Sequence, residues 1–264
     1  MSVKLCSIIS GSSGNCTYIE SGGRAILIDA GGSLRKIKAG VESIGGSMEN
    51  IAGVFITHEH NDHITGLKPL INKHKIPVIS NKKTLQGIFK AFPDINTDYF
   101  IESEPGQISK TNDFEVLSFK TSHDSAMSVG YHIKTADKKV TVVTDTGTVS
   151  DEIIEITKNC DALLIESNYD EKMLKTGSYP YYLIKRILAD TGHLDNKNCA
   201  EAVMKIIEGG TTKFILGHLS EENNKPEIAA KEVFKLLKKN GLDPIKDIHI
   251  QIAPRFEPCE PVIL

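Results

Sequence analysis

In the run Gly53-Val-Phe-Ile-Thr-His58-Glu-His60-Asn-Asp62-His63, three imidazoles and a carboxylate follow directly on a short apolar segment. Imidazole nitrogen and carboxylate oxygen are the donors that zinc, manganese and iron accept. So tight a turn can hardly bring all four to one ion. His58 and His60 can converge on one cation from an extended or turn backbone, while Asp62 and His63 are placed to reach a second. A lone histidine is usually structural or exposed. Four donors clustered as H-x-H-x-D-H reverse that expectation and read as a metal site.

Further donors follow other apolar runs. His123 comes after 116–122, Asp145 after 140–144, His218 after 213–217, and Asp29 ends 25–29. Sites in open α/β architectures gather outside the carboxyl ends of strands, so these runs would deliver the groups to one edge. An aspartate in such a place is also a common turn or cap residue. Asp145 has the further use that two carboxylate oxygens can bridge two cations. His193, between Gly192 and Leu194 and just before a helix start at Asp195, is a candidate substrate or transition-state contact and equally a helix-flanking residue. His132 and His249 alternate with apolar residues inside strands and His74 sits at a Lys-rich helix end, so all three read as structural or surface. Small residues at Ser10-Gly-Ser-Ser-Gly-Asn15 let backbone amides approach a phosphate, and serve a tight turn equally well.

The elements that must position these groups are short β-branched runs at 3–9, 16–20, 25–29, 53–57, 114–119, 129–133, 140–144, 162–166, 213–216 and 248–252, predicted as strands. Helical patterns lie near 34–44, 82–91, 151–157, 181–189, 196–207 and 227–238. Hairpin-like strands come first and alternating strand and helix units follow, which fits layered sheets with helices outside better than a doubly wound sheet. With no internal repeat, low-complexity tract or Pro-rich linker, residues 1–264 are expected to form a single α/β domain.

Hydrophobic residues at 40% and charged residues at 25% are ordinary for globular chains and exclude a disordered or fibrous class. The net charge of -3 supplies no global basic footprint, so a nucleic-acid substrate needs a local patch. Lys36, Lys38, Lys172, Lys175, Lys185 and Arg186 could form one, or mark a solvated helix face. Cys6, Cys16, Cys160, Cys199 and Cys259 are odd in number and contain no C-x-x-C pair, arguing against a disulfide framework or a thiolate zinc site. The opening residues lack a signal-peptide pattern and no run has the roughly 18 apolar residues of a membrane span. A cytoplasmic protein is expected.

Asp29, Thr57-His58-Glu59-His60-Asn61-Asp62-His63, His123, Thr144-Asp145-Thr146-Gly147 and Gly217-His218-Leu219-Ser220 resemble, in order, the five signature motifs of the metallo-β-lactamase superfamily. The resemblance implies a four-layer αββα sandwich with a dinuclear site at one edge. It implies that His58, His60 and His123 hold one metal, that Asp62, His63 and His218 hold the other, and that Asp145 bridges them. Asp29 would orient the histidine loop without being a ligand. Ser10–Asn15, Glu166–Asp170, Leu174–Pro180, Gly192-His193-Leu194 and His218–Asn224 are similar to the YycJ/WalJ-type group of small bacterial proteins, linked to double-stranded DNA 5′-exonuclease activity. Tyr169 departs from that group's usual histidine.

The expected activity is a metal-dependent phosphodiesterase, a 5′-exonuclease on double-stranded DNA. Two divalent ions (Zn, Mn or Fe) about 3.5–4 Å apart would activate a bridging hydroxide. Asp62 would orient it or take its proton. A hydrolase of thioesters, lactones or cyclic phosphodiesters can use the same site, and a non-catalytic regulatory module is a third reading that seven intact ligands disfavour. The segment from Asp145 to His218 is too short for the large inserted domain of RNase J and polyadenylation-factor nucleases, and no long arm of the RNase Z type is identified.

Overall fold

A computed structural model describes residues 2–264. The first half builds a sheet from β1 (Val3–Ile9), β2 (Cys16–Ser21), β3 (Arg24–Ile28), β4 (Ile51–Phe55), β5 (Val78–Ser80) and β6 (Phe100–Glu102). The second half builds another from β7 (Ile108–Thr111), β8 (Phe114–Lys120), β9 (Val129–Lys134), β10 (Lys139–Val143), β11 (Ala162–Glu166), β12 (Lys213–Gly217) and β13 (His249–Ile252). The terminal β14 (Val262–Ile263) returns to pair antiparallel with β1, so strand order is β14-β1-β2-β3-β4-β5-β6 in the first sheet and β13-β12-β11-β10-β9-β8-β7 in the second. Both sheets are mixed: antiparallel hairpins change to parallel pairing at β3·β4 and at β10·β11.

Side-chain alternation forces the layering. On β11, Ala162 and Leu164 join one apolar core while Leu163 and Ile165 join another; on β12, Ile215 joins the first and Phe214 and Leu216 the second. A strand buried on both faces needs a layer on each side. One layer is the first sheet, where the rings of Phe55 and Tyr131 meet edge-on at 5.6 Å and the Tyr131 hydroxyl donates to the Ile56 carbonyl at 2.7 Å. The other is formed by α5 (Asp151–Ile156), α8 (Asn196–Glu208) and α9 (Pro226–Lys239), through Ile153, Val203, Ile206, Val233 and Leu237. The first sheet also packs on α1 (Leu34–Ser43), α3 (Leu67–His74) and α4 (Lys82–Ala91) through Ile37, Val41, Leu67, Leu70, Ile71, Leu85 and Ile88. The result is the expected αββα sandwich. No helix among the described residues is long and apolar enough to cross a membrane.

All ten strands and six helices anticipated from the sequence form. Those it did not resolve are short or irregular: β5, β6 and β14 span two or three residues and offer no period to read. The α3 helix carries Pro69 in its first turn and has no side-chain cap, so its start signal is weak. The unanticipated β7, α2 (Asn61–Ile64) and α6 (Glu171–Thr176) are four to six residues long; α2 and α6 belong to the site region, as does the anticipated α7 (Tyr181–Leu188).

Loops leaving β3, β4, β8, β10, β11 and β12 meet at one rim. Gly31 sets their closest approach: its amide donates to the Asn15 carbonyl at 2.8 Å, and a Cβ there would sit 1.6 Å from the Asp62 carbonyl oxygen. Gly31→Ala is expected to cost about 3 kcal/mol, the upper range for overpacking. A denaturant midpoint equal to wild type would refute this account of the rim.

Candidate metal centre

The site is assembled outward from a buried carboxylate. Asp29, one residue past β3, accepts the Thr57 amide at 2.8 Å and lies 2.9 Å from the Thr57 hydroxyl. Its Oδ2 also accepts from His63 Nδ1 at 2.8 Å. The same hydroxyl lies 3.0 Å from His58 Nδ1. One carboxylate thus ties the ends of β3 and β4 together, holding the inner nitrogen of His63 directly and that of His58 through the Thr57 hydroxyl. His123 is held similarly, its Nδ1 lying 3.0 Å from the Gly192 carbonyl. In each ring the outer Nε2 is left to face the centre. Metal-binding histidines are oriented in this manner, because fixing one nitrogen sets the tautomer of the other.

Two buried atoms show that the protein's own groups do not complete the site. His58 Nε2 and Asp145 Oδ2 have no hydrogen-bond partner. Asp145 Oδ2 lies 3.2 Å from His63 Nε2 and 3.4 Å from His218 Nδ1 without hydrogen-bond alignment. Orphaned buried acceptors are costly, and a cation relieves both. His58, His60 and His123 present ligand atoms within 4.8 Å of one another; so do His58, His63 and Asp145, and a further set of Asp145, Glu166, His193 and His218. Asp62 lies outside these close sets, with its Oδ2 3.4 Å from His63 Nε2. The rim therefore brings together all seven residues marked from the sequence as metal donors, with His218 grouped closely with Asp145, Glu166 and His193.

Charge in this cluster is strongly unbalanced. Burial disfavours an imidazolium at His63, yet the Asp145, Asp29 and Asp62 carboxylates override it and hold its pKa well above the usual value. Burial and the neighbouring His63 push His58 well below it. Asp145, despite burial, is held well below the ordinary carboxylate range by His218 and His63. These carboxylates, enclosed with little solvent, select for positive charge.

The backbone is strained where function would require it. Asp29, Asp145 and His218 adopt left-handed φ values of 64°, 54° and 56°. Non-glycine residues rarely adopt such angles, and they cluster at functional sites.

The Beta-lactamase superfamily domain profile matches residues 24–219. The chain belongs to the metallo-β-lactamase superfamily. Within this superfamily it is 36% identical over 234 residues to Exodeoxyribonuclease YycJ of Bacillus anthracis, covering 89% of each chain. It is 39% identical over 224 residues to Exodeoxyribonuclease WalJ of Streptococcus pneumoniae, covering 84% of this chain and 83% of that one. The crystal structure of the metallo-beta-lactamase fold protein YhfI from Bacillus subtilis superposes with a TM-score of 0.74 at 18% identity, over 98% of this chain and 99% of that one. This superfamily member is a hydrolase, and its histidine and aspartate cluster implies divalent-metal binding.

Glu166, which the sequence marks only as part of a motif, occupies a central place. Its Oε1 accepts from His193 Nδ1 at 2.7 Å and its Oε2 accepts the Thr146 amide at 2.9 Å, which also pins the Asp145 turn. The available signal was its place at the carboxyl end of the apolar run 162–166; the fold then sets it in register with Gly217, just before His218. Tyr169 sits in a small core with Leu174 and Ile187, beneath α6 and α7. In the Ser10–Asn15 loop, the amides of Gly11, Gly14 and Asn15 are all bonded within the protein, so these three serve the turn rather than an anion. His132 bonds Thr141, and His249 is exposed on β13, both away from the rim.

Thr57→Val preserves volume but removes the hydroxyl shared by Asp29, His58 and His63. Metal affinity, measured by competition with a chromophoric chelator, is expected to fall about 10- to 100-fold. Unchanged affinity would show that this hydroxyl does not orient donors.

Proposed function

We propose that this protein is a metal-dependent nuclease, specifically a 5′-exonuclease acting on double-stranded DNA in the cytoplasm. The observation that carries this reading is that the donor rim sits in a chain similar over nearly its whole length to two exodeoxyribonucleases. In this reading His58, His60 and His123 would hold one divalent ion and Asp62, His63 and His218 a second, with Asp145 available to either; zinc, manganese and iron all suit these donors. When bound, such a pair supplies an activated water and neutralises charge on an in-line phosphoryl transfer.

The remaining chemistry falls to side chains. Asp62, half-buried at the rim, accepts the proton of the attacking water as its oxygen bonds to phosphorus. The P–O3′ bond then breaks, and the departing oxygen takes a proton from His193 Nε2, the ring atom turned away from Glu166. Burial works against a charged His193, but the Glu166 carboxylate overrides it and raises its pKa to about 9. The Glu166 carboxylate thus favours the protonated His193 that a departing alkoxide needs.

Digestion of an end-labelled linear duplex with added manganese or zinc tests this reading. Wild type should release 5′-terminal nucleotides, EDTA should abolish release, and Asp62→Ala should slow it by at least about 100-fold. A metal-loaded protein inert on DNA and RNA would overturn the assignment in favour of small esters or cyclic phosphodiesters. The proton donor has a separate signature in the pH profile of kcat/KM. Activity should decline as His193 deprotonates at alkaline pH. Glu166→Gln removes the carboxylate that raises the His193 pKa, so it should move that limb to lower pH; an unmoved limb would exclude His193 as donor.

A further inference from the structure

Four aromatic rings are exposed among the described residues: Phe89, Tyr181, Tyr182 and Phe256. Exposed rings of this size are informative because burial would stabilise them. Three of the four border the metal rim, and two of those three have a cation over the ring. Lys185 Nζ lies 4.7 Å from the Tyr181 ring centre. Phe256 has Lys36 Nζ at 5.5 Å and Arg255 Cζ at 5.8 Å.

Each platform is tied to one wall of the site. On α7, Tyr182 and Arg186 are four residues apart and share a helix face. Arg186 Nη2 donates to Asp124 Oδ1 at 3.0 Å, beside His123. On the other wall, Arg255 Nη2 donates to the Leu219 carbonyl at 2.6 Å, beside His218, and its side chain lies over Gly11. His193 stands between the walls, its ring centre 5.1 Å from His123 and 5.3 Å from His218. A polymer crossing from one platform to the other would pass over His193.

We propose that Tyr181 and Tyr182 on one wall and Phe256 on the other stack unpaired bases of a nucleic-acid strand, holding its backbone across the metal rim. This rests on the nuclease reading and adds to it the form of substrate engaged at the site: a strand end freed from its complement. Every base offers a π-face, so aromatic stacking binds single strands without sequence preference, and the accompanying cations suit the phosphates. A base paired within a duplex is already stacked on its neighbours and cannot lie on either platform. Strand separation at the terminus therefore accompanies engagement. Lys36 and Lys185 bring positive charge to this strip, which the chain as a whole, at -3, lacks, while Arg186 and Arg255 are ion-paired with Asp124 and Glu221.

The test uses metal-loaded protein and a fluorescein-labelled single-stranded oligonucleotide with phosphorothioate linkages, read by anisotropy. Tyr181→Ala with Tyr182→Ala, and separately Phe256→Ala, should each weaken binding about tenfold or more. Phenylalanine at both tyrosine positions should restore it, whereas Phe89→Ala, on the exposed face of α4, should bind as wild type does. Replacing the bases with abasic sites should weaken wild-type binding and leave the alanine variants nearly insensitive. If the variants bind normally while wild type degrades DNA, the stacking platforms are wrong and the nuclease reading stands. If wild type neither binds nor degrades any nucleic acid, the nuclease reading fails and the platforms fail with it.

Discussion

The Asp29 carboxylate is almost completely buried, and three groups satisfy it: the Thr57 amide, the Thr57 hydroxyl and His63 Nδ1. Burial raises its pKa, because an enclosed carboxylate loses solvation, while those same groups pull in the opposite direction. The end of β4 that supplies Thr57 and the short helix α2 that supplies His63 cannot move away without leaving this group uncompensated. Its left-handed φ of 64° turns the chain out of β3 and toward the histidine loop. The donor geometry of His58 and His63 therefore depends on a residue that needs no contact with metal.

Glu166 has the corresponding position in the second sheet. It joins the Asp145 turn, His193 and the Leu194 amide, while Asn168 and Ser10 fix His218 by bonding its carbonyl and amide. Two buried carboxylates, one per sheet, thus help to organise a rim whose proposed metal donors follow four strands, β4, β8, β10 and β12. Neither would be tolerated in an apolar core, but at the rim each replaces lost hydration with oriented N–H groups.

The sandwich explains why these donors share one edge. β8, β10, β11 and β12 run in the same direction, since β9 is antiparallel to both β8 and β10 and the rest pair in parallel. Their carboxyl ends open on one side, where they meet those of β3 and β4. Packing through Phe55 and Tyr131 sets the sheets' separation and so brings the two carboxylate networks together. Covering each outer face with amphipathic helices leaves the rim as the place where backbone can be irregular and polar.

The H-x-H-x-D-H run, the donors after apolar runs and the short β-branched strands themselves were legible in the sequence because each is local: a residue type at a fixed spacing, or a short run of one composition. The layered class followed from the order of those elements, and the family motifs supplied its particular form. What tertiary structure alone decided was juxtaposition. Glu166 reads as an ordinary strand-end residue until the fold sets it 2.7 Å from a histidine 27 positions away. Phe256 and Tyr182, nothing unusual as residue types, acquire meaning only when a terminal loop and a helix are laid on opposite walls of one rim. Chain separation carries no information about contacts that depend on how two sheets stack, so the candidate donors and, through the family motif, the orienting Asp29 were readable from sequence, while the role of Glu166 and the placing of the exposed rings were not.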